Sequence, residues 1–463
     1  MAYSSLTLLL LVFAGLLVVN AQAYASPKSK KCDSVNRGYQ CDPSISHFWG
    51  QYSPYFSVPS EISADVPHGC SISFVQILSR HGARDPTASK TAQYNETVNE
   101  IHANVTSFKG AYAFLKTFEY TLGADQLSVF GQQAMINSGI KFYDRYKHLA
   151  EHVDPFVRTS GQERVVESAV NWTQGFYDAK GEKGHDLTPS VIIPEADGVN
   201  NTLNHVLCTA FEDGADSNIG DNAQGIWADI FVPPIQERLN KALPGANLTI
   251  DQTIDIMDLC PFETVANTQG KISEFCGLFS EDEWHQYGYY QTLGKYYGYG
   301  PGNPLGPTQG VGFVNELIAR LTNSPINIQG SINATLDTNP ATFPVDKKHK
   351  LFADFSHDND MTGIFSALGL YNATRPLSNT TIETAQQAYG YSASWTVPFG
   401  ARAYFEKLQC HAEKEELVRV IVNDRVQPLK QCGGDKLGRC TLDAFVKSLS
   451  FAKEGGHWAS CFS

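Results

Sequence analysis

Several catalytic signatures are missing from this sequence. It has no Gly-x-Ser-x-Gly elbow, no Walker loop with its Lys-Ser/Thr ending and no His-Glu-x-x-His zinc helix, so serine hydrolases of that type, P-loop nucleotide enzymes and zincins drop out. No pair of cysteines has the two-residue spacing of a zinc ribbon. Charge is sparse, at 18% of residues, and the net charge is -13. Binders of nucleic acid carry basic patches that neutralise phosphates, so nucleic acid is not an expected partner, and an anionic ligand would need a locally positive pocket. There is no internal repeat, heptad run or low-complexity stretch beyond the N-terminal segment. Gly298-Tyr299-Gly300-Pro301-Gly302 resembles a dinucleotide loop only superficially, since no strand precedes it and Pro301 and Pro304 favour coil.

What is present describes a compact secreted protein. With 463 residues, 42% hydrophobic and 11% aromatic, the chain can bury a large core in two or three structural units. The apolar run Leu8 to Val19, followed by Ala21-Gln22-Ala23-Tyr24-Ala25, reads as a signal peptide cut after Ala23 or Ala25. A membrane anchor would need roughly 20 apolar residues, and the run falls short. The ten cysteines then favour disulfides. Eight Asn-x-Ser/Thr sequons, at Asn95, Asn104, Asn171, Asn200, Asn247, Asn333, Asn372 and Asn379, mark expected surface positions on a glycosylated, extracellular chain.

Along the chain, Ser71 to Ser79 has strand character and runs into Arg80-His81-Gly82. Ile136, Ile140 and Tyr143 recur at helical spacing before a short strand at Pro155 to Val157. Arg158 follows, and Ser160 with Glu163 has capping-box spacing for a helix beginning near Gly161. Phe313, Val314, Leu317, Ile318 and Leu321 mark an amphipathic helix. Leu351 to Phe355 is a strand candidate that delivers His357 and Asp358, ahead of a helical pattern from Met361 to Leu368. Three strand ends thus carry Arg, His or Asp, and open α/β sheets bind ligands beyond the carboxyl ends of their strands. The stretch from Asn171 to Gly294 reads as a helical insertion. The expected division is residues 1–25 signal peptide, 26–170 with 295–463 an α/β catalytic domain, and 171–294 a mainly helical domain.

The sharpest pattern is Arg80-His81-Gly82-Ala83-Arg84-Asp85-Pro86-Thr87. From ordinary residue frequencies, Arg-His-Gly-x-Arg-x-Pro arises by chance in about one sequence of this length in ten thousand. Guanidinium groups contact phosphate oxygens in bidentate fashion, and Gly82 would let backbone approach a ligand closely. A histidine among arginines is held neutral by like charge, so His81 could attack phosphorus and form a phosphohistidine. Asp358 could protonate the departing alkoxide and then activate water, while His357 donates to a phosphate oxygen. Read alone, His357-Asp358-Asn359-Asp360 could also be a metal site, or Asp360 a helix cap.

These two signatures together resemble the histidine acid phosphatase family, and within it the fungal phytases of the 3-phytase type. The likeness extends to Trp49-Gly50-Gln51-Tyr52-Ser53-Pro54, Arg158 to Val165, and Lys295 to Gly310. It implies His81 as nucleophile, Asp358 as proton donor, and Arg80, Arg84, Arg158 and His357 as the grip on the scissile phosphate. Thr87 resembles a phosphate-contacting position. Gln51, Tyr52 and Lys295 would line the part of the pocket holding the other phosphates of inositol hexakisphosphate (phytate) or of lower inositol phosphates. Two departures bear on specificity: Gly294 where some relatives have a second lysine, and Asp85 where a neutral residue is frequent. The resemblance also implies a phosphoglycerate-mutase-like fold, with a larger α/β domain of mixed sheet flanked by helices and a smaller all-α domain. It implies a monomer without metal, cofactor or membrane attachment, and disulfides Cys32–Cys41, Cys70–Cys410, Cys208–Cys461, Cys260–Cys276 and Cys432–Cys440. A broad-specificity acid phosphatase and a non-catalytic inositol-phosphate-binding glycoprotein remain the alternative readings.

Overall fold

The computed structural model describes residues 32–371 and 373–463. The expected signal peptide and the Asn372 sequon lie outside them. Among the described residues eight strands form one sheet: β1 Cys70–Arg80, β2 Phe156–Ser160, β3 Val191–Ile193, β4 Leu351–Ser356, β5 Arg402–Cys410, β6 Leu417–Val422, β7 Arg425–Val426 and β8 Arg439–Thr441. Their order is β3-β2-β4-β1-β5-β6-β7, with β8 also on β6. The β3, β2, β4, β1 half is parallel, and β5 onward is antiparallel.

The longer helices are α1 Ala88–Asn104, α2 Val129–Arg145, α3 Glu163–Lys180, α4 Ile219–Ala242, α5 Ile250–Ala266, α6 Glu281–Gly298, α7 Val311–Thr322 and α8 Asp358–Ala367. Because β4 is buried along its whole length, both faces of the sheet must be covered, as parallel sheets require. Phe74, Leu78, Phe352 and Phe405 pack against Phe313, Leu317 and Ile364 of α7 and α8 on one face. Val75, Ile77 and Phe355 pack against Phe142, Trp172 and Phe176 of α2 and α3 on the other. There α2 and α3 touch through glycine: a Cβ at Gly139 would lie 2.0 Å from the Trp172 carbonyl oxygen, and one at Gly175 2.0 Å from that of Ile136.

A third core, built from α1, α4, α5 and α6 around Tyr94, Trp227, Met257 and Trp284, contains no strand of the sheet. This strand-free core is not drawn from residues 171–294 alone. It recruits α1 and Leu115 from before the insertion. It gives up the end of α3, which packs on the sheet, and β3, which pairs with β2. The expected capping box at Ser160 does not form: α3 starts at Glu163 after Gln162, and the Ser160 hydroxyl donates to Glu195 at 2.5 Å instead.

The five disulfides pair as the resemblance implies, and no cysteine is free. Of the sequon asparagines, the seven described are all exposed or half-exposed. Among the described residues no helix is long and apolar enough to cross a membrane.

Candidate active site

The parallel register of β1 and β4 aligns Arg80 with Ser356, so the two strands end level and release His81 and His357 side by side. The His81 amide donates to the Ser356 carbonyl at 3.1 Å, and the two imidazoles stand edge to face with centroids 5.6 Å apart. Next along the sheet, β2 leads into α3, and α8 begins at Asp358. Two helix N-termini thus open toward the strand ends, where backbone N–H groups and the helix dipole favour an anion.

His81 lies at the floor level set by the strand ends, buried next to the cleft-lining His357 and only 1% exposed. Its Nδ1 lies 2.8 Å from the Gly82 carbonyl oxygen, an acceptor, so the proton sits on Nδ1 and the Nε2 lone pair is free. Nε2 has no hydrogen-bond partner. Burial first, then Arg80, Arg164 and Arg84, with His357, hold the imidazole well below its ordinary pKa and therefore neutral in mild acid. Gly82 serves packing rather than ligand approach: a Cβ there would lie 2.6 Å from the Gly131 carbonyl oxygen of α2.

Around this floor stand cationic groups with unspent donors. Arg80 is fully buried. Its Nη1 donates to the Val397 carbonyl at 2.8 Å and also to that of Gln51, and its Cζ lies 4.5 Å from the Phe399 ring centroid. Arg84 Nη1 donates to its neighbour's carbonyl, that of Asp85, at 2.6 Å. Arg164, in the first turn of α3, pairs with Asp125 at 3.2 Å. The Nε of each of the three is buried without a hydrogen-bond partner, and Nη2 of Arg80 is ion-paired with Asp358 at 3.3 Å.

Arg158 does not join them. At register position Arg158↔Asp354 its side chain meets the neighbouring strand. Its Nε donates to Asp354 at 2.7 Å and its Nη2 to Glu316 at 2.6 Å, with Asp337 3.6 Å from Nη1. At 1% exposure and paired with three carboxylates, one of which, Asp354, also holds Arg320 at 2.7 Å, it belongs to a buried ion network. The cleft-lining arginine from this segment is Arg164.

Asp358 is 3.3 Å from Arg80 and 2.6 Å from Lys295. Burial pushes its carboxyl up, but Arg80 and Lys295 outweigh burial and hold it well below the usual carboxylate range. The resemblance implies that Lys295 lines the part of the pocket holding the other phosphates, but it is not among the cleft-lining residues. It instead backs Asp358, its ammonium also donating to Asn359 and lying 5.0 Å from the Tyr299 ring centroid. His357 Nε2 is 2.8 Å from Glu195.

The cleft above holds about 250 Å³ and is lined by Gln51, Tyr52, Arg84 and Thr87 on one side, and by Arg164, Glu195, His205, His357, Asp358 and Asp360, among others, on the rest. Gln51 is fixed by a hydrogen bond that its Nε2 donates to Gln291 Oε1 at 2.7 Å, and Tyr52 leans on Phe262 with centroids 4.7 Å apart. Thr87 precedes α1 without capping it through its side chain. A larger groove of about 420 Å³ lies elsewhere, its lining holding Glu415, Glu416 and Asp443 and no basic residue, which suits no anion.

The two departures lie outside the cleft lining. A Cβ at Gly294 would point at the Gln224 amide of α4, 2.6 Å away, so the glycine belongs to a helix crossing. The Asp85 carboxylate turns toward Gly123. Sequence reasoning missed Arg164, Glu195, Asn204, His205 and Asn359. Only Arg164 carried a local signal, since a cation in the first turn of a helix opposes the helix dipole and calls for an anion nearby. Among the described residues no group of three or more His, Cys, Asp or Glu is arranged to hold a metal, and Asp360, the other candidate cap, makes no hydrogen bond through its buried Oδ1.

Residues 71–423 match the family model of the histidine phosphatase superfamily, branch 2. Phytase A of Aspergillus fumigatus is 55% identical over 450 residues, covering 95% of this chain and 96% of the relative. Phytase A of Emericella nidulans is 54% identical over 444 residues, with 94% and 95% covered. The crystal structure of the phytase from D. castellii superposes with a TM-score of 0.73 at 24% identity, covering 89% of this chain and 86% of that one, a likeness of fold. A histidine at a strand end, ringed by arginines with unspent donors, is what this match leads one to expect, and the chain belongs to branch 2 of the histidine phosphatase superfamily.

Proposed function

We propose that the protein is a secreted phytase that hydrolyses phosphomonoesters of myo-inositol hexakisphosphate and of lower inositol phosphates through a phosphohistidine. The observation that carries this reading is the convergence of Arg80, Arg84 and Arg164, each with a buried, unpartnered Nε, around the free Nε2 of His81. Buried polar groups are rarely left unpaired, and planar cations with spare N–H groups match a phosphoryl group's oxygens. Near full-length identity above 50% to proteins named Phytase A supports the substrate.

In the first step His81 Nε2 attacks phosphorus, the P–O ester bond breaks, and the leaving oxygen takes a proton from Asp358. In the second, water attacks the phosphohistidine, Asp358 removes its proton, the N–P bond breaks, and orthophosphate leaves. The developing charge on the three phosphoryl oxygens is met by the arginines and by His357, which Glu195 orients. Asp358 is ionised in the free protein, so it must gain its proton as substrate binds. Phosphate groups that engage Arg80 and Lys295 remove the two cations that depress its carboxyl, and burial then raises it. Secretion is supported by the N-terminal apolar run, the disulfides and the exposed sequons; we take the protein as a monomer.

The decisive experiment is phosphate release from sodium phytate in mild acid with EDTA present, for the parent and His81→Ala in parallel. Release that survives EDTA and disappears in the variant is expected. Turnover of small esters without release from phytate would move the assignment to a general acid phosphatase, and silence on both to a binding protein.

A further inference from the structure

Asp360 is a wall residue of the cleft to which the reaction above gives no task. It occupies the third position of α8, two residues after Asp358, is 5% exposed, and lines the cleft. An aspartate there could fold back onto the start of its helix, yet it forms no such bond, and its Oδ1 is buried without a partner.

Asp360 shares its nearest cations with other carboxylates: His205, whose pKa Asp360 and Glu212 together raise, and His357. His357 is held by Glu195 at 2.8 Å, and His205 by Glu212 at 2.6 Å. Lys295 and Arg80 are both turned to Asp358. From its own helix Asp360 faces Asp358; from the segment after β3 it faces Glu195 and His205; from the end of β4 it faces His357; and the Tyr299 hydroxyl stands within its field. Two of these five are carboxylates and two are histidines with carboxylate partners of their own.

A desolvated carboxylate that only shares its counter-charges with other carboxylates is costly, and such a group keeps its proton more readily. Burial pushes the Asp360 carboxyl up to about 6, opposed by His205 and His357 and reinforced by Glu195 and Asp358. In mild acid it is therefore a neutral acid with one O–H to donate, facing a cleft whose ligand is rich in acceptor oxygens. Neutral carboxylic acids kept so by their surroundings serve as hydrogen-bond donors elsewhere.

We propose that Asp360 is a proton-dependent substrate contact: as the neutral acid it donates to an oxygen of an inositol phosphate group other than the one being cleaved, and as the carboxylate it repels that group. The scissile phosphate is taken by Arg80, Arg84, Arg164 and His357, the charged groups around His81, whereas Asp360 shares the cleft lining with His205 and feels its charge first. This rests on reading the cleft as a phytate site. Acid pH would then favour substrate capture at one named position, in addition to any general loss of negative charge from the surface.

The test is KM for phytate between pH 4.5 and 7.5 at fixed ionic strength, for the parent, Asp360→Asn and Asp360→Ser. A single ionisation near pH 6 leaves roughly a tenth of the carboxyl protonated at pH 7. The parent KM should therefore climb about tenfold by then, more steeply than the parent KM for p-nitrophenyl phosphate, which carries one phosphate only. In both neutral variants the climb specific to phytate should vanish, leaving a KM at pH 7 about tenfold below the parent's. The serine variant keeps the test intact if the asparagine one fails to fold. Variant curves that rise in parallel with the parent's would overturn the role of Asp360 while leaving the phytate reading in place. A parent that hydrolyses p-nitrophenyl phosphate but releases nothing from phytate would overturn the substrate reading, and this inference with it.

Discussion

Lys295 Nζ lies 2.6 Å from Asp358 Oδ2, and that pair sets the charge of the candidate proton donor before any substrate arrives. With Arg80 it outweighs burial and keeps the carboxyl ionised. Protonation of the leaving group therefore depends on substrate drawing those cations away. Asp358→Asn removes the transferable proton at almost constant shape. General acid catalysis is worth about 10²- to 10⁴-fold, and turnover of phytate, whose leaving group is an alkoxide, should fall by that order. p-Nitrophenolate leaves without help, so hydrolysis of p-nitrophenyl phosphate should fall much less. Equal losses on the two substrates would rule out Asp358 as the acid.

Lys295→Met should raise KM for phytate several-fold, because one cation that phosphate groups can recruit is gone. It should also flatten the acid side of the stability profile. A carboxyl whose folded pKa is depressed contributes stability that is present above its unfolded pKa, 3.8 for Asp358, and lost as pH falls through the folded value. With Lys295 absent the depression shrinks, so the drop in Tm from pH 6 to pH 2.5 should be smaller than in the parent. Thermal unfolding at the two pH values measures it.

Arg158 and Arg164, six residues apart, should fail in different ways. Arg158→Gln leaves Glu316 buried without its ion pair and Asp354 with Arg320 alone. Breaking a buried pair in this manner costs about 3–5 kcal/mol, so a lower denaturation midpoint is expected. Arg164→Gln removes a half-committed cation from the cleft wall. Here kcat/KM for phytate should drop at least about tenfold with little change in the midpoint. The reverse pattern would restore Arg158 to the phosphate grip.

That pair also shows where sequence reading stops. β1 and β4 were legible because β-branched and aromatic residues run unbroken into Arg80-His81 and His357-Asp358, and the distinctive Arg-His-Gly-x-Arg-x-Pro pattern fixed the chemistry. Arg158 also follows a short apolar stretch, and nothing local distinguishes it from a ligand-binding arginine. What decides is its register opposite Asp354 and the arrival of Glu316 from α7, both long-range facts. Glu195 and His205 sit in irregular chain after β3, with no periodicity to single them out. The helical region was recognisable by its lack of strand signals. Its borders were not, because α1 joins that core from a distant part of the chain and β3 leaves it for the sheet.

Glu263, on α5, offers a check on the electrostatics away from the reacting atoms. Its Oε1 is buried and unpartnered, and burial, reinforced by the facing Asp85, raises its carboxyl from 4.5 to about 7. A carboxyl raised in the folded state contributes stability fully present below its unfolded pKa and lost as pH rises through the folded value. Between about pH 4.5 and 7 the unfolded chain releases this proton while the folded one holds it, so folding weakens across that window. At full value the shift corresponds to about 3 kcal/mol, and partial access to solvent lowers that to about 2 kcal/mol. Glu263→Gln cannot ionise and escapes the loss. It should match the parent's Tm near pH 4 and exceed it by about 2 °C at pH 7.5. A variant no more stable than the parent at pH 7.5 would mean that the carboxyl titrates normally, and that Asp85 and Glu263 do not feel each other.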